Sequence, residues 1–261
     1  MSRHSIYALA AVLSTMGAAP FAAAQHLHTN DRWDECSIVL DPSLTPQAWR
    51  QFVRELGLVT YFRPMSSAKA LGKGNFEVGV VEWGTRIDDA DAAWNDTFSH
   101  ADSAHYLFDG SALRIPGVIG RVGINDRVDL GVYYTKNPGA NYGFVGGQVQ
   151  YAVTADSARK VSAAGRLSVV RVFGPEDVTA NTYGADLLVS REISRFEPYA
   201  GVSGYMTRAK ETTDKVDFGT ETQFGAQATL GITARVSVLR IGAEYHVARV
   251  PGVALKVAVG R

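Results

Sequence analysis

Hydrophobic and polar residues alternate with a period of two along most of the chain after about residue 74. In Phe224-Gly-Ala-Gln-Ala-Thr-Leu-Gly-Ile-Thr-Ala-Arg235, Phe224, Ala226, Ala228, Leu230, Ile232 and Ala234 share one side. Gly225, Gln227, Thr229, Gly231, Thr233 and Arg235 share the other. Side chains alternate across a strand, so this stretch predicts a strand with one apolar and one small or polar face. Ordinary strands run to about 5–6 residues, whereas a tilted strand crossing a bilayer needs about 9–11. Its 12 residues match the second length.

The same rhythm predicts ten strands, at 74–87, 113–124, 127–136, 141–154, 160–173, 181–192, 196–209, 221–235, 236–247 and 252–259. Val59–Phe62 is an additional short strand candidate, ended by Pro64. Tight links at Asn125-Asp126, at Ile193–Arg195 and near Arg235 alternate with longer ones at 88–112, 137–140, 174–180, 210–220 and 248–251. Short and long connections taking turns describe an antiparallel meander, and an even count puts both ends of the sheet on the short-turn side. The predicted fold is all-β: an antiparallel transmembrane barrel of about 10 strands (range 8–12) with one short N-terminal amphipathic helix.

That helix is the one place where the period changes. Thr45-Pro46-Gln-Ala-Trp49-Arg-Gln-Phe52-Val53-Arg-Glu-Leu56 offers an N-cap Thr, Pro at the first helical position, and apolar residues at 49, 52, 53 and 56. The pattern leaves three placements open: over a barrel end, within the lumen, or along the membrane surface.

Upstream, Arg3 and His4, the apolar run Ile6–Val12 and Ala22-Ala23-Ala24 form a cleavable secretory signal. The expected organisation is a signal peptide at 1–24, a polar leader and helix at 25–56, and a barrel at 57–261. No stretch of 18 apolar residues occurs, so any membrane crossing is made by strands. The chain carries 26 basic and 26 acidic residues, a balance that gives no reason to expect nucleic acid as a partner. Cys36 is the only cysteine and cannot form an internal disulfide. His26-x-His28 in the leader reads as a solvated terminus rather than a metal tract.

Signal, strand pattern and turn alternation together resemble those of a small, single-chain bacterial outer-membrane β-barrel protein. The chain departs from that family's usual terminal aromatic residue, ending Val257-Ala-Val-Gly-Arg261. The resemblance implies location in the outer membrane, outer-membrane lipid and the barrel-assembly machinery as partners, and no cofactor. With Leu230 and Ile232 facing lipid, the lipid-facing set is Leu130, Val132, Leu167, Val169, Leu187, Val189, Leu230, Ile232, Leu239, Ile241, Leu255 and Val257. The opposite face carries Glu77, Arg127, Asp129, Gln148, Gln150, Arg166, Asp186, Glu197, Arg240, Glu244, His246 and Lys256. Both signs are present in similar number, which predicts paired charges in a largely filled lumen. Gly147, Gly184, Gly201, Gly225 and Gly231 lie inside strands, where a narrow lumen crossed by large side chains accommodates them. Phe76, Tyr134, Tyr142, Phe173, Tyr183, Phe196 and Tyr245 fall near strand ends, as at membrane interfaces.

The expected function is a non-enzymatic structural or interaction role, or a narrow conduit for small solutes. One alternative is a soluble periplasmic barrel that turns Leu230 and Ile232 inward around an apolar ligand. A second is a rim hydrolase using His100 or His105 in the polar loop 88–112. Neither a Gly-x-Ser-x-Gly elbow nor a His-Glu-x-x-His motif is present, and Asp88-Asp89-Ala-Asp91 lacks the spacing and glycine of a calcium loop.

Overall fold

The computed structural model describes residues 37–88, 90–99, 113–136, 139–156 and 160–261. The signal segment, His26, His28, Cys36, Asp89, His100 and His105 lie outside these residues. Ten antiparallel strands close into a barrel. They are β2 (Phe76–Thr85), β4 (Leu113–Gly123), β5 (Val128–Lys136), β6 (Gly143–Asp156), β7 (Val161–Phe173), β8 (Val178–Arg191), β9 (Phe196–Glu211), β10 (Thr220–Val236), β11 (Leu239–Val247) and β12 (Gly252–Gly260). Each strand pairs with its neighbour in sequence, and β12 returns to β2 with Val257 opposite Val80. A two-stranded ribbon, β1 (Ser37–Ile38) with β3 (Phe98–Ser99), stands apart from the barrel sheet.

The two rims differ. At one, β10 turns into β11 through Ser237 and Val238, with Ser237 at φ 57°, and β8 turns into β9 through a link in which Ser194 has φ 58°. Left-handed residues suit tight hairpins because the turn then follows the strand twist. At the β4–β5 turn of this rim, the Asn125 carboxamide oxygen accepts from the Arg127 and Val128 amides, at 2.8 and 2.9 Å. Arg127 is therefore a turn residue. It is exposed, and its guanidinium reaches the Tyr151 hydroxyl on the outer wall, which corrects the expectation that it faces the lumen. The predicted strand began one residue too early, and at a strand end parity no longer fixes direction.

The helix α1 (Pro46–Thr60) starts as its sequence dictates. The Thr45 hydroxyl accepts from the Ala48 amide at 3.2 Å, and Pro46 opens the first turn. It then runs inside the barrel and continues four residues past the expected end at Leu56. Val59–Phe62 is therefore not a strand: Val59 and Thr60 are helical, and Tyr61 and Phe62 belong to an irregular segment behind them. Gly57 and two β-branched residues make a weak helix end. Enclosure decides the matter, because every residue from Leu56 to Ser67 is buried and the backbone must bond internally. A short α2 (Ala92–Asn95) is capped by Asp91, which also accepts from the Gln51 side chain.

The N-terminal segment enters from the long-loop rim. There the Asn141 side chain brackets Ile38, accepting from its amide and donating to its carbonyl, and Asp177 accepts from the Leu40 amide. The interior is layered along the axis. Toward the long loops it is apolar: Trp49, Phe52 and Leu56 of α1 meet Trp94, Phe98, Ile115, Phe144, Val170 and Val172. Phe52 lies 5.2 Å edge-on from Trp94 and 5.8 Å from Trp49. Burying each such side chain contributes about 1.5–3 kcal/mol. Toward the short turns the interior is polar.

Candidate functional site

The candidate site is this polar lumen, where inward residues of eight or more strands meet the irregular segment 61–71. Inward positions recur every second residue, so each strand presents its charges at a fixed height. Arg166 on β7 is fully enclosed. Its Nε donates to Asp186 Oδ2 at 2.7 Å, Nη1 to the Gln148 carboxamide oxygen at 2.7 Å, and Nη2 to the Phe62 carbonyl at 2.7 Å. Asp186 also accepts from the Tyr61 hydroxyl at 2.6 Å and from Ser203 at 2.5 Å. A buried guanidinium and carboxylate are tolerable only when their remaining positions are filled, and here the plug segment fills them.

A second cluster surrounds Glu244 on β11. Its Oε1 accepts from the Met65 amide and the Tyr199 hydroxyl, both at 2.5 Å, and Oε2 lies 3.0 Å from His246 Nε2. Thr229 Oγ1 is 3.1 Å from His246 Nδ1. Arg63, 1% exposed, donates to Thr85 at 2.8 Å and sits 5.2 Å over the Trp83 ring. The Glu244 carboxylate lies near enough to act as its counter-charge. The Arg63 Nε and Nη1 carry no hydrogen bond. Trp83 in turn donates to the Val59 carbonyl at the helix end, 3.2 Å away.

Nearest the short turns, Lys256 and Glu77 form a close ion pair, with Arg240 Nε at 3.5 Å from the same carboxylate. Arg121 and Asp129 form another, and both oxygens of Asp129 face the Leu71 amide at 3.1 Å. Gln150 donates to the Ser67 carbonyl at 3.2 Å.

The structure thus brings Glu77, Asp129, Gln148, Gln150, Arg166, Asp186, Glu244, His246 and Lys256 into the buried interior, with Glu197 and Arg240 half-buried at the short-turn mouth. Of the expected lipid-facing set, Leu130, Val132, Leu167, Val169, Leu187, Val189, Leu230, Ile232, Ile241, Leu255 and Val257 are exposed on the outer wall, and Leu239 is half-buried beside its hairpin. Sequence reasoning missed Tyr61, Arg63, Tyr199 and Arg121. The first two lie in a segment with no period to read. Arg121 and Tyr199 were available by parity, since Arg121 alternates with outward Val122 and Tyr199 with outward Ala200.

The strand glycines answer to these large inward groups. A Cβ on Gly231 would sit 2.2 Å from the Tyr199 ring, and one on Gly184 would sit 2.6 Å from the Tyr61 ring. Gly147 departs from this account: nothing lies closer to its Cβ position than the Gly131 carbonyl oxygen at 4.0 Å.

The row Thr229–His246–Glu244 has the residue types of a nucleophile, a base and an acid. Yet His246 is 1% exposed, and Glu244 Oε1 is already committed to Met65 and Tyr199. Through Glu244 the row is tied to the plug segment at the Met65 amide. Among the described residues, no group of three or more His, Cys, Asp or Glu could hold a metal ion.

No family model matches the sequence, and no curated protein matches it. Several solved structures do. The COG4313 outer membrane channel from Pseudomonas putida F1 aligns at 11% identity over 77% of this chain and 100% of that one, with a TM-score of 0.45. Neisserial surface protein A aligns at 13% identity over 72% of this chain and 97% of its own, with a TM-score of 0.30. The N-terminal β-barrel domain of Pseudomonas aeruginosa OprF aligns at 11% identity over 73% and 99%, with a TM-score of 0.31.

Proposed function

We propose that this chain is a non-enzymatic outer-membrane β-barrel protein, closed along its axis by its own N-terminal segment, with a structural or interaction role in the envelope. The observation that carries the reading is the apolar outer wall. Leu187 is 67% exposed, Val132 63%, Val202 60% and Leu230 57%, and exposed apolar residues continue around all ten strands. Water-soluble monomers rarely expose contiguous apolar patches above a few hundred Å². A bilayer turns this wall into a contact surface, and a closed sheet leaves no backbone group unpaired within it. Aromatic residues lie toward both rims of the outer wall: Phe76, Tyr151 and Phe196 near the short turns, and Tyr134 stacked on Phe173 at 5.9 Å near the long loops.

Two features bear on the alternatives. A soluble barrel holding an apolar ligand needs Leu230 and Ile232 inside, and both point outward. Conduction through the axis requires that α1 and residues 61–71 first leave the lumen, since together they fill it. The residues invoked for rim hydrolysis, His100 and His105, lie outside the described residues.

The test joins location and conductance. The full-length protein is expected to fractionate with outer membranes, to migrate differently on gels before and after heating, and to give no steady conductance in planar bilayers. Recovery as a soluble monomer without detergent would overturn the membrane reading, and a stable open current would overturn the closed axis.

A further inference from the structure

The short-turn mouth holds a cavity of about 390 Å³ between the end of the plug segment and the inner wall, lined from β2, β4 and β9–β12. Seven cationic side chains line it: Lys69, Arg121, Arg195, Arg235, Arg240, Lys256 and Arg261. Against them stand Glu77, Glu192 and Glu197 in the lining and Asp129 just behind Arg121. Several of these charges are already spent on one another. Lys69 meets Glu192 at 2.5 Å, Arg121 meets Asp129, and Lys256 and Arg240 share Glu77. Seven positive side chains against four negative ones leave an excess of three, and among the described residues Arg195 and Arg235 contribute no ion pair to the interior.

Two details give the excess a direction. Arg121 has only 6% of its side chain exposed, and its Nε donates to nothing. Arg240 is also short of partners: its Nε touches Glu77 only at 3.5 Å and makes no hydrogen bond. Guanidinium groups present planar donor forks that match the oxygens of phosphate and carboxylate. Within a walled cavity their field is less screened than on an open surface.

We propose that this mouth pocket binds a small multivalent oxyanion, a phosphorylated or polycarboxylate solute, held by Arg195 and Arg235 at its rim and by Arg240 and Arg121 at its floor. The site does not depend on the membrane reading, because a water-soluble barrel would carry the same cavity. Lys69 belongs to the plug and Arg240 to the wall, so a bound oxyanion bridges the two.

The probe is pyrophosphate, titrated calorimetrically into the full-length protein folded in neutral detergent at low salt. A single saturable site is expected, weakening as salt rises. The double substitution Arg195→Gln/Arg235→Gln is expected to weaken it roughly tenfold or more, while Arg114→Gln at the opposite rim leaves it unchanged. Heat-modifiable migration of each variant reports that the barrel is intact, which separates loss of the site from loss of the fold. A second readout uses the unsubstituted protein. Pyrophosphate should slow acylation of Lys69, whose side chain is 46% exposed, without slowing that of Lys215 at the other rim, 37% exposed. Absence of saturable binding overturns the proposal. So does affinity unchanged by the double substitution, or equal acylation of both lysines.

Discussion

Asp186 carries three hydrogen bonds and answers a fully enclosed guanidinium. Replacing it by Ala strands Arg166 in the lumen without its counterion, and removing one partner of a buried pair costs about 3–5 kcal/mol. The urea midpoint of Asp186→Ala refolded into lipid vesicles is expected to fall accordingly. The joint replacement Arg166→Met/Asp186→Leu should recover part of the loss, since it removes the buried charge but leaves the Phe62 carbonyl, Gln148, Tyr61 and Ser203 without these partners. A second residue-scale expectation concerns Gly231. Gly231→Val drives a branched side chain into the Tyr199 ring and should cost about 1–3 kcal/mol by overpacking. Combined with Tyr199→Ala, the loss should be smaller than the two single losses added, and a double-mutant cycle on the same unfolding assay measures that coupling. Inward charges of this kind were legible from parity alone. Their partners were not, because Tyr61 and the Phe62 carbonyl come from a stretch without periodicity.

At the scale of elements, α1 is the part whose role the sequence left open. Its start was readable, since Thr45 and Pro46 form a cap and a first turn by local chemistry. Its end was not. Gly57, Val59 and Thr60 weigh against helix in isolation, and the barrel wall overrides them. Gly57 is even required, because a Cβ there would lie 2.2 Å from the Thr207 hydroxyl and 2.5 Å from the Tyr205 ring. Amphipathicity said that one face of the helix is buried without saying against what. The apolar contacts of Phe52 and Leu56 hold the helix in the upper lumen. Phe52→Asp/Leu56→Asp is therefore expected to release it and to give stepwise conductance in planar bilayers where the parent protein gives none. A silent double variant, shown folded by heat-modifiable migration, would mean that residues 61–71 close the axis unaided.

For the molecule as a whole, the outer wall makes the sharpest demand. Leu187 faces outward near mid-strand, and Leu187→Arg should cost about 2–4 kcal/mol at the bilayer midplane and slow insertion into vesicles. The same change at Val236, exposed beside the hairpin to β11, should cost about 0–1 kcal/mol, because depth sets the penalty. Folding yield into vesicles, read by gel migration, checks both. Alternation revealed the barrel because each strand obeys it independently, and ten strands repeat the message. It could not reveal the filled axis. An inward face of small and charged residues is the same pattern whether water, salt-bridged side chains or an internal segment lies against it.

The plug and the seam between the first and last barrel strands together bear on the order of assembly. Residues 61–75 lead directly into β2, and β2 is the strand that meets β12 to complete the ring. The Lys256–Glu77 contact across that seam joins residues 179 positions apart, so it forms among the last. An unclosed sheet is open along one side, and the helix can settle against it laterally. Once β2 and β12 are zipped, entry is possible only end-on, past the aromatic cluster at one rim or the charged mouth at the other. The lateral route is therefore open to the N-terminal segment only until the final strand arrives. A chain that closes early would have to thread its own stopper through a rim.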